Sequence, residues 1–394
     1  MNPLYLLFLL LPLAAYSGWY IARRGSERSS GARVNELSSN YFRGLNYLLN
    51  EQPDKAIEVF LKLAEINVDT VETHLALGNL FRRRGEIDRA IRVHQHLIAR
   101  PALSDDEKSN ALLELGEDYM RSGLLDRAEK LFADLVAMGA HSVVALTHLV
   151  AISQHERDWN MAIEHARRLQ QVSGESHGML IAQFYCELAE QARTRSASVQ
   201  ARDYLQQAFS ADPACVRAGM ILGHLERAEG NLLAAIEAFE QIAERDVDYL
   251  GEILAPLLDC YARSQQMQRA EDFLLDTSRR YPGVAPILEL GKIYARSRGE
   301  EVAADFLAQE LRTRPSLRAL LAMSELGARH ADGVQRERAQ IQQEMVRKLL
   351  HGQSLYRCTQ CGFGARTQHW QCPGCKTWSS VRPVHGARAE PAGL

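Results

Sequence analysis

An alanine returns along this chain at a nearly constant interval. Ala56, Ala90, Ala128, Ala162, Ala201, Ala235, Ala270 and Ala303 follow one another at gaps of 34, 38, 34, 39, 34, 35 and 33 residues. Twelve residues before five of them stands a glycine (Gly44, Gly78, Gly116, Gly223, Gly291), usually with a leucine just ahead (Leu77, Leu115, Leu222, Leu290) and an aromatic three residues on (Tyr47, Phe81, Tyr119, Tyr294). Phe60, Phe132 and Phe239 come four residues after their alanines, and Pro213, Pro282 and Pro315 close their units. Such a period constrains the fold more than any single segment does. Each unit is too small to bury its own apolar face, so neighbours must stack into a solenoid with one continuous core. Small residues at the glycine and alanine positions let two antiparallel helices approach closely, while the large ones fill the space between units.

These positions resemble the tetratricopeptide repeat over residues 37–316. The resemblance implies an all-α superhelical solenoid whose concave face is a long binding surface. The match is uneven: Val150 and Leu258 occupy glycine positions, His94 replaces a phenylalanine, and the fourth, fifth and seventh units are degenerate, which predicts irregular packing there. Extra residues near 104–107 and between 171 and 178 predict longer turns between units. Residues 317–329 and 334–350 read as one further helical pair, so that 317–351 caps the stack.

Four of the seven cysteines lie near the C-terminus as two pairs, Cys358-Thr-Gln-Cys361 and Cys372-Pro-Gly-Cys375, with ten residues between them. A two-residue gap lets both thiolates of a pair turn to one centre, and four sulfurs close the tetrahedral shell of a zinc-like ion. A closed shell leaves no open position for substrate, so the site, spanning 352–382, reads as one structural metal ion. Iron in a rubredoxin-like cage has the same ligand set; the spacing leaves the metal open, with zinc favoured. Two disulfides are a competing use of these cysteines, but Cys186, Cys215 and Cys260, scattered in apolar contexts, suit a reducing compartment. His351 and His369 are alternative ligands, although four sulfurs suffice and His369 reads as a surface neighbour. The short connection at 352–355 predicts that this domain docks on the last helices.

At the other end, residues 4–22 carry no charged side chain and are dense in leucine. A bilayer core needs about 20 apolar residues in a helix, longer than the apolar stretch of a signal peptide. The segment 1–22 therefore reads as a transmembrane anchor, and 23–36 as a flexible juxtamembrane linker. Arg23, Arg24, Arg28 and Arg33 follow the span, placing that flank and the body in the cytoplasm and turning the N-terminus outward. Trp19 and Tyr20 fit the interfacial aromatic belt, and the arginines can attract anionic lipid. Residues 383–394 read as a disordered tail.

The enzyme-like motifs in the sequence lack the context that catalysis needs. Gly174-Glu175-Ser176-His177-Gly178 fits the hydrolase pattern G-x-S-x-G, but that elbow needs a preceding strand and here the sequence before it is helical. His155-Glu156 lacks the second histidine of a zinc protease, and a phosphate-cradling Gly-Lys loop is absent from the sequence. His94 and His96 read as solvated or packed, and Arg82-Arg83-Arg84 as a solvated cluster at a helix end, with an acidic peptide as its functional alternative. A net charge of −3 is too balanced for a dedicated nucleic-acid binder. Arg357, Arg366, Lys376, Arg382 and Arg388 keep a nucleic-acid-binding ribbon as an alternative to be tested by salt dependence.

The order of parts, an anchor with arginines behind it, a tetratricopeptide array and a four-cysteine domain, resembles the lipopolysaccharide assembly protein B family (LapB, formerly YciM). The family resemblance implies a non-enzymatic adaptor at the bacterial inner membrane with a rubredoxin-type metal domain. It implies that the adaptor promotes degradation of the LpxC deacetylase by the FtsH protease, under restraint by an inner-membrane regulator of the PbgA (YejM) type. Cys358, Cys361, Cys372 and Cys375 match the family's metal ligands one for one. Lys376 departs from the family pattern, standing where a glycine often follows the cysteine. A tetratricopeptide scaffold for another membrane complex and an iron-using electron carrier are the alternatives, and homo-oligomerisation is left open.

Overall fold

The computed structural model describes residues 52–66, 71–101, 103–330, 332–351 and 354–385, with positions 16, 42–44, 46–47 and 50. Apart from Tyr16 the expected membrane span lies outside them, as do the linker and residues 386–394 of the expected tail. Among the described residues no helix is long and apolar enough to cross a membrane.

The helices are α1 (Pro53–Ile66), α2 (Val71–Arg83), α3 (Ile87–Ile98), α4 (Asp105–Ser122), α5 (Leu125–Met138), α6 (Ser142–Glu156), α7 (Trp159–Ser173), α8 (Gly178–Thr194) and α9 (Ser198–Ala211). They continue as α10 (Val216–Glu229), α11 (Leu232–Arg245), α12 (Leu250–Arg263), α13 (Met267–Arg280), α14 (Ala285–Ser297), α15 (Glu300–Thr313), α16 (Leu317–His330) and α17 (Gly333–Leu350). The chain forms two compact units, residues 1–156 with 171–173, and residues 157–170 with 174–394.

The repeat has a direct steric cause. All eight periodic alanines are 0% exposed. Each glycine lies under the side chain sixteen residues later in its own unit. A methyl built on Gly116 would sit 2.7 Å from the Phe132 ring, one on Gly44 2.8 Å from Phe60, and one on Gly223 2.5 Å from Phe239. Gly78 faces His94 in the same way, so the histidine that replaces a phenylalanine is packed and fully buried.

The degenerate units behave differently from one another. In the fifth, Ala189 and Leu205 stand at the glycine and phenylalanine positions, exchanging volume between partners, and α8 and α9 make the most extensive helix contact among the described elements. The irregular packing expected there does not occur. In the seventh, Leu258 takes the glycine position without a smaller partner, since Leu274 stands opposite in the pattern, and α12 and α13 touch only sparsely.

Of the two expected long turns, the first is present at 99–104, whereas the second, at 174–177, is no longer than the turns at 212–215 and 281–284. Ser104 is the N-cap of α4 and forms a capping box with Glu107, whose carboxylate accepts from the Ser104 amide at 2.8 Å. The satisfied cap starts α4 earlier than the repeat pattern suggests and extends it to 18 residues, while α8 reaches 17 residues from His177, which makes no side-chain cap bond. Arg82 is likewise not solvated. Its guanidinium lies 2.5 Å from Glu114, 2.9 Å from Glu117 and 2.9 Å from Asp118, joining α2 to α4, and Arg84 pairs with Asp54 and Glu86.

Beyond α17 the chain forms a small antiparallel sheet, β1 (Tyr356–Cys358), β2 (Gly364–Ala365) and β3 (Val381–Pro383), in the order β2-β1-β3. Tyr356 is opposite Ala365 on one side and Pro383 on the other. The strand β3 and the packing of His385 on Tyr281, ring centroids 5.0 Å apart, carry ordered structure past Arg382, into the start of the expected tail.

Candidate metal centre

The sheet sets the two cysteine pairs face to face. In each pair a turn closes onto the first cysteine: the Gly362 amide donates to the Cys358 carbonyl at 3.0 Å, and the Lys376 amide to the Cys372 carbonyl at 2.9 Å. Both closing residues are left-handed, with φ of 76° at Gly362 and 61° at Lys376. The lysine therefore preserves the turn that a glycine would make, at a backbone cost.

The four sulfurs lie within 4.8 Å of one another. The close approaches run between the pairs, Cys358 to Cys375 and Cys361 to Cys372, each at 3.6 Å, and all four cysteines are free thiols. A tetrahedron with metal–sulfur bonds of about 2.3 Å has edges of about 3.8 Å, so the donor set fits one thiophilic ion with little movement. Neither His351 nor His369 joins the cluster; His369 packs edge-on to Phe363.

The thiols are not equivalent. Ser380 Oγ, 3.3 Å from Cys358 Sγ, brings that thiol down to about 6, with amides of the first turn helping. Thr377 lowers Cys375. Cys361 is drawn down by the Phe363 amide, but burial and the neighbouring sulfurs prevail and push it up to about 11. A thiolate is the ligand form, so the site carries part of its ligand charge at neutral pH, and metal entry displaces the remaining protons.

Among the described residues the metal domain docks chiefly on side chains of α7, α8, α10, the turn at Val247–Tyr249 and α12, and not chiefly on the last helices that its short tether suggests. Arg217 of α10, paired with Glu187 at 2.7 Å, lies 5.9 Å and 5.7 Å from the Trp370 and Trp378 rings. Trp378 meets Trp159 and Phe184 edge-on at 6.3 and 6.0 Å, while Trp370 stacks on Tyr249 at 5.7 Å. Gln183 donates to Ser379 at 3.0 Å, Tyr356 donates to Glu252, and Arg382 pairs with Asp246 at 2.5 Å and Asp248 at 3.1 Å. Burial raises the Glu252 carboxyl, which the Tyr356 bond partly offsets. The contact thus combines aromatic area with charge pairs.

Sequence reasoning missed these residues. The Gln183–Ser379 bond spans 196 positions and the Tyr356–Glu252 bond 104, with no periodicity joining their ends. Two tryptophans beside the second cysteine pair were the available signal. The remaining candidates fall elsewhere: Cys186, Cys215 and Cys260 are buried thiols, and Ser176 lies in the turn between α7 and α8, after a left-handed Gly174, where no strand precedes it.

A family model described as a rubredoxin metal binding domain matches residues 356–383. Over 97% of its length the chain is 35% identical to lipopolysaccharide assembly protein B of Escherichia coli strain K12, covering 98% of that protein. The chain belongs to the lipopolysaccharide assembly protein B family. Its relative of that name in Haemophilus influenzae is 36% identical over 96% of this chain and 98% of its own length. Among solved structures, MamA superposes with a TM-score of 0.32 at 20% identity, over 46% of this chain and 93% of its own. In this member of the family the metal cluster is built into the repeats by side chains of both.

Proposed function

We propose that this chain is an inner-membrane-anchored cytosolic adaptor in lipopolysaccharide assembly, and that it presents the LpxC deacetylase to the FtsH protease under restraint by a PbgA (YejM)-type regulator. The observation that carries this reading is the relationship, along 97% of the chain, to proteins named for lipopolysaccharide assembly. The stacked repeats and docked metal domain support it, because they supply extended surfaces of the kind that hold other proteins. One structural ion, zinc in preference to iron, is held by Cys358, Cys361, Cys372 and Cys375. Residues 1–22 confine the body to the membrane plane, where effective concentration substitutes for strong bimolecular affinity toward an anchored protease.

Crosslinked recovery of the full-length chain from membranes tests the reading: the protease and the deacetylase should accompany it, and their absence overturns the adaptor role. Replacing Cys358 and Cys361 by serine should release the ion and raise deacetylase levels; normal deacetylase turnover would remove the metal domain from the mechanism. A second reading, iron-based electron transfer, draws on the exposed Cys361 sulfur. It requires a red protein that bleaches reversibly, whereas colourless protein with stoichiometric zinc rejects it.

A further inference from the structure

The face formed by α12, α14 and α16 contains a cavity of about 410 Å³ beside the docked metal domain. Leu254, Leu288, Ala322 and Leu326 give it an apolar lining, and its charged rim carries Lys292, Arg296, Arg318, Glu289 and Glu325. Both carboxylates are already matched, Glu289 by Lys292 and Glu325 by Arg347, each at 2.7 Å. Arg296 and Arg318 have no carboxylate partner among the described residues, and so leave two guanidinium groups over an apolar floor in a chain of net charge −3.

We propose that this cavity receives an extended peptide segment of a second protein, with a carboxylate for Arg296 and Arg318 and an adjacent apolar side chain for the floor. Arginine binds carboxylates through two parallel hydrogen bonds, which suits the two open groups. Continuity with an interface that already holds polypeptide decides the class of ligand. Leu254 and Ala255 stand two and three residues after Glu252, the residue that holds Tyr356 of the metal domain, so the same helix passes from one contact into the cavity.

The inference rests on the adaptor reading for the presence of a client, but its test is separate. The full-length chain in detergent micelles is titrated with a fluorescent decapeptide of alternating leucine and glutamate, with its leucine–lysine counterpart, and with phosphatidylglycerol bicelles. The leucine–glutamate peptide should bind, about tenfold more weakly to the Arg296→Gln/Arg318→Gln chain, and the lysine peptide should not bind. Equal affinity in the variant, no binding of the acidic peptide, or a variant that loses bicelle binding in place of peptide binding overturns the proposal. The adaptor reading fails on a different result, the absence of protease and deacetylase from the crosslinked unaltered chain.

Discussion

A glycine in this protein is defined by the residue that covers it. At Gly116 the Phe132 ring occupies the place of a methyl, 2.7 Å from where a Cβ would stand. Gly116→Ala should therefore destabilise the compact unit of residues 1–156 by about 1–3 kcal/mol, read as a lowered urea midpoint, and adding Phe132→Leu should recover part of the loss. Equal losses in the single and double variants would contradict the close packing. Lys376 is the reverse case, a side chain where the backbone favours none, with φ of 61°. Relieving a left-handed residue is worth about 1 kcal/mol. Lys376→Gly should thus slow metal loss to a competing chelator, as followed by thiol release; faster loss would mean that the lysine side chain itself supports the site.

Between elements, charge pairs join neighbouring units at defined points. Arg202 of α9 approaches Glu226 of α10 at 2.6 Å, and Asn231 donates to the same carboxylate at 2.7 Å. The Arg202 hydrogen bond, with help from Asn231 and against partial burial, holds Glu226 below its usual value of 4.5. A carboxyl lowered in the folded state contributes its stability in full above the unfolded value and loses it as pH falls through the folded one. Melting temperatures should therefore drop on acidification below about 4.5, and Glu226→Gln should reduce the slope of that fall. An unchanged acid limb in the variant would show that the pair carries no linkage. Helix lengths follow similar local rules: the reach of α4 depends on whether Ser104 and Glu107 satisfy each other, which the repeat period does not register.

At the scale of the second unit, the metal domain is part of the fold. Its hold depends heavily on Trp378, buried against Trp159 and Phe184 with Arg217 beside it. Trp378→Ala should weaken docking by about 3–5 kcal/mol while leaving the four sulfurs in place. Hydrogen exchange should then accelerate at both 356–383 and the facing parts of α8 and α10, with metal content unchanged. Exchange confined to the sheet would mean that the two parts are not coupled. Removing the ion from the unaltered chain should have the broader effect, loosening the turns that position Trp370 and Trp378 and shifting tryptophan fluorescence to the red.

The repeat and the four ligand positions were legible because both depend on short-range spacing: an alanine that must be small every 34 residues or so, and thiols two residues apart. The burial of all eight alanines and the gathering of the four sulfurs follow from those local demands. What the sequence could not reveal lies across long separations. Arg82 looked solvated because its three carboxylate partners sit on the next unit's helix, and the docking place was misjudged because a short tether limits reach without choosing a face. Tertiary structure decided those points by complementarity: two tryptophans and Arg382 meet a matching set of Arg217, Tyr249, Asp246 and Asp248 on the middle helices and their connecting turn, and burial of that matched surface outweighs nearness along the chain.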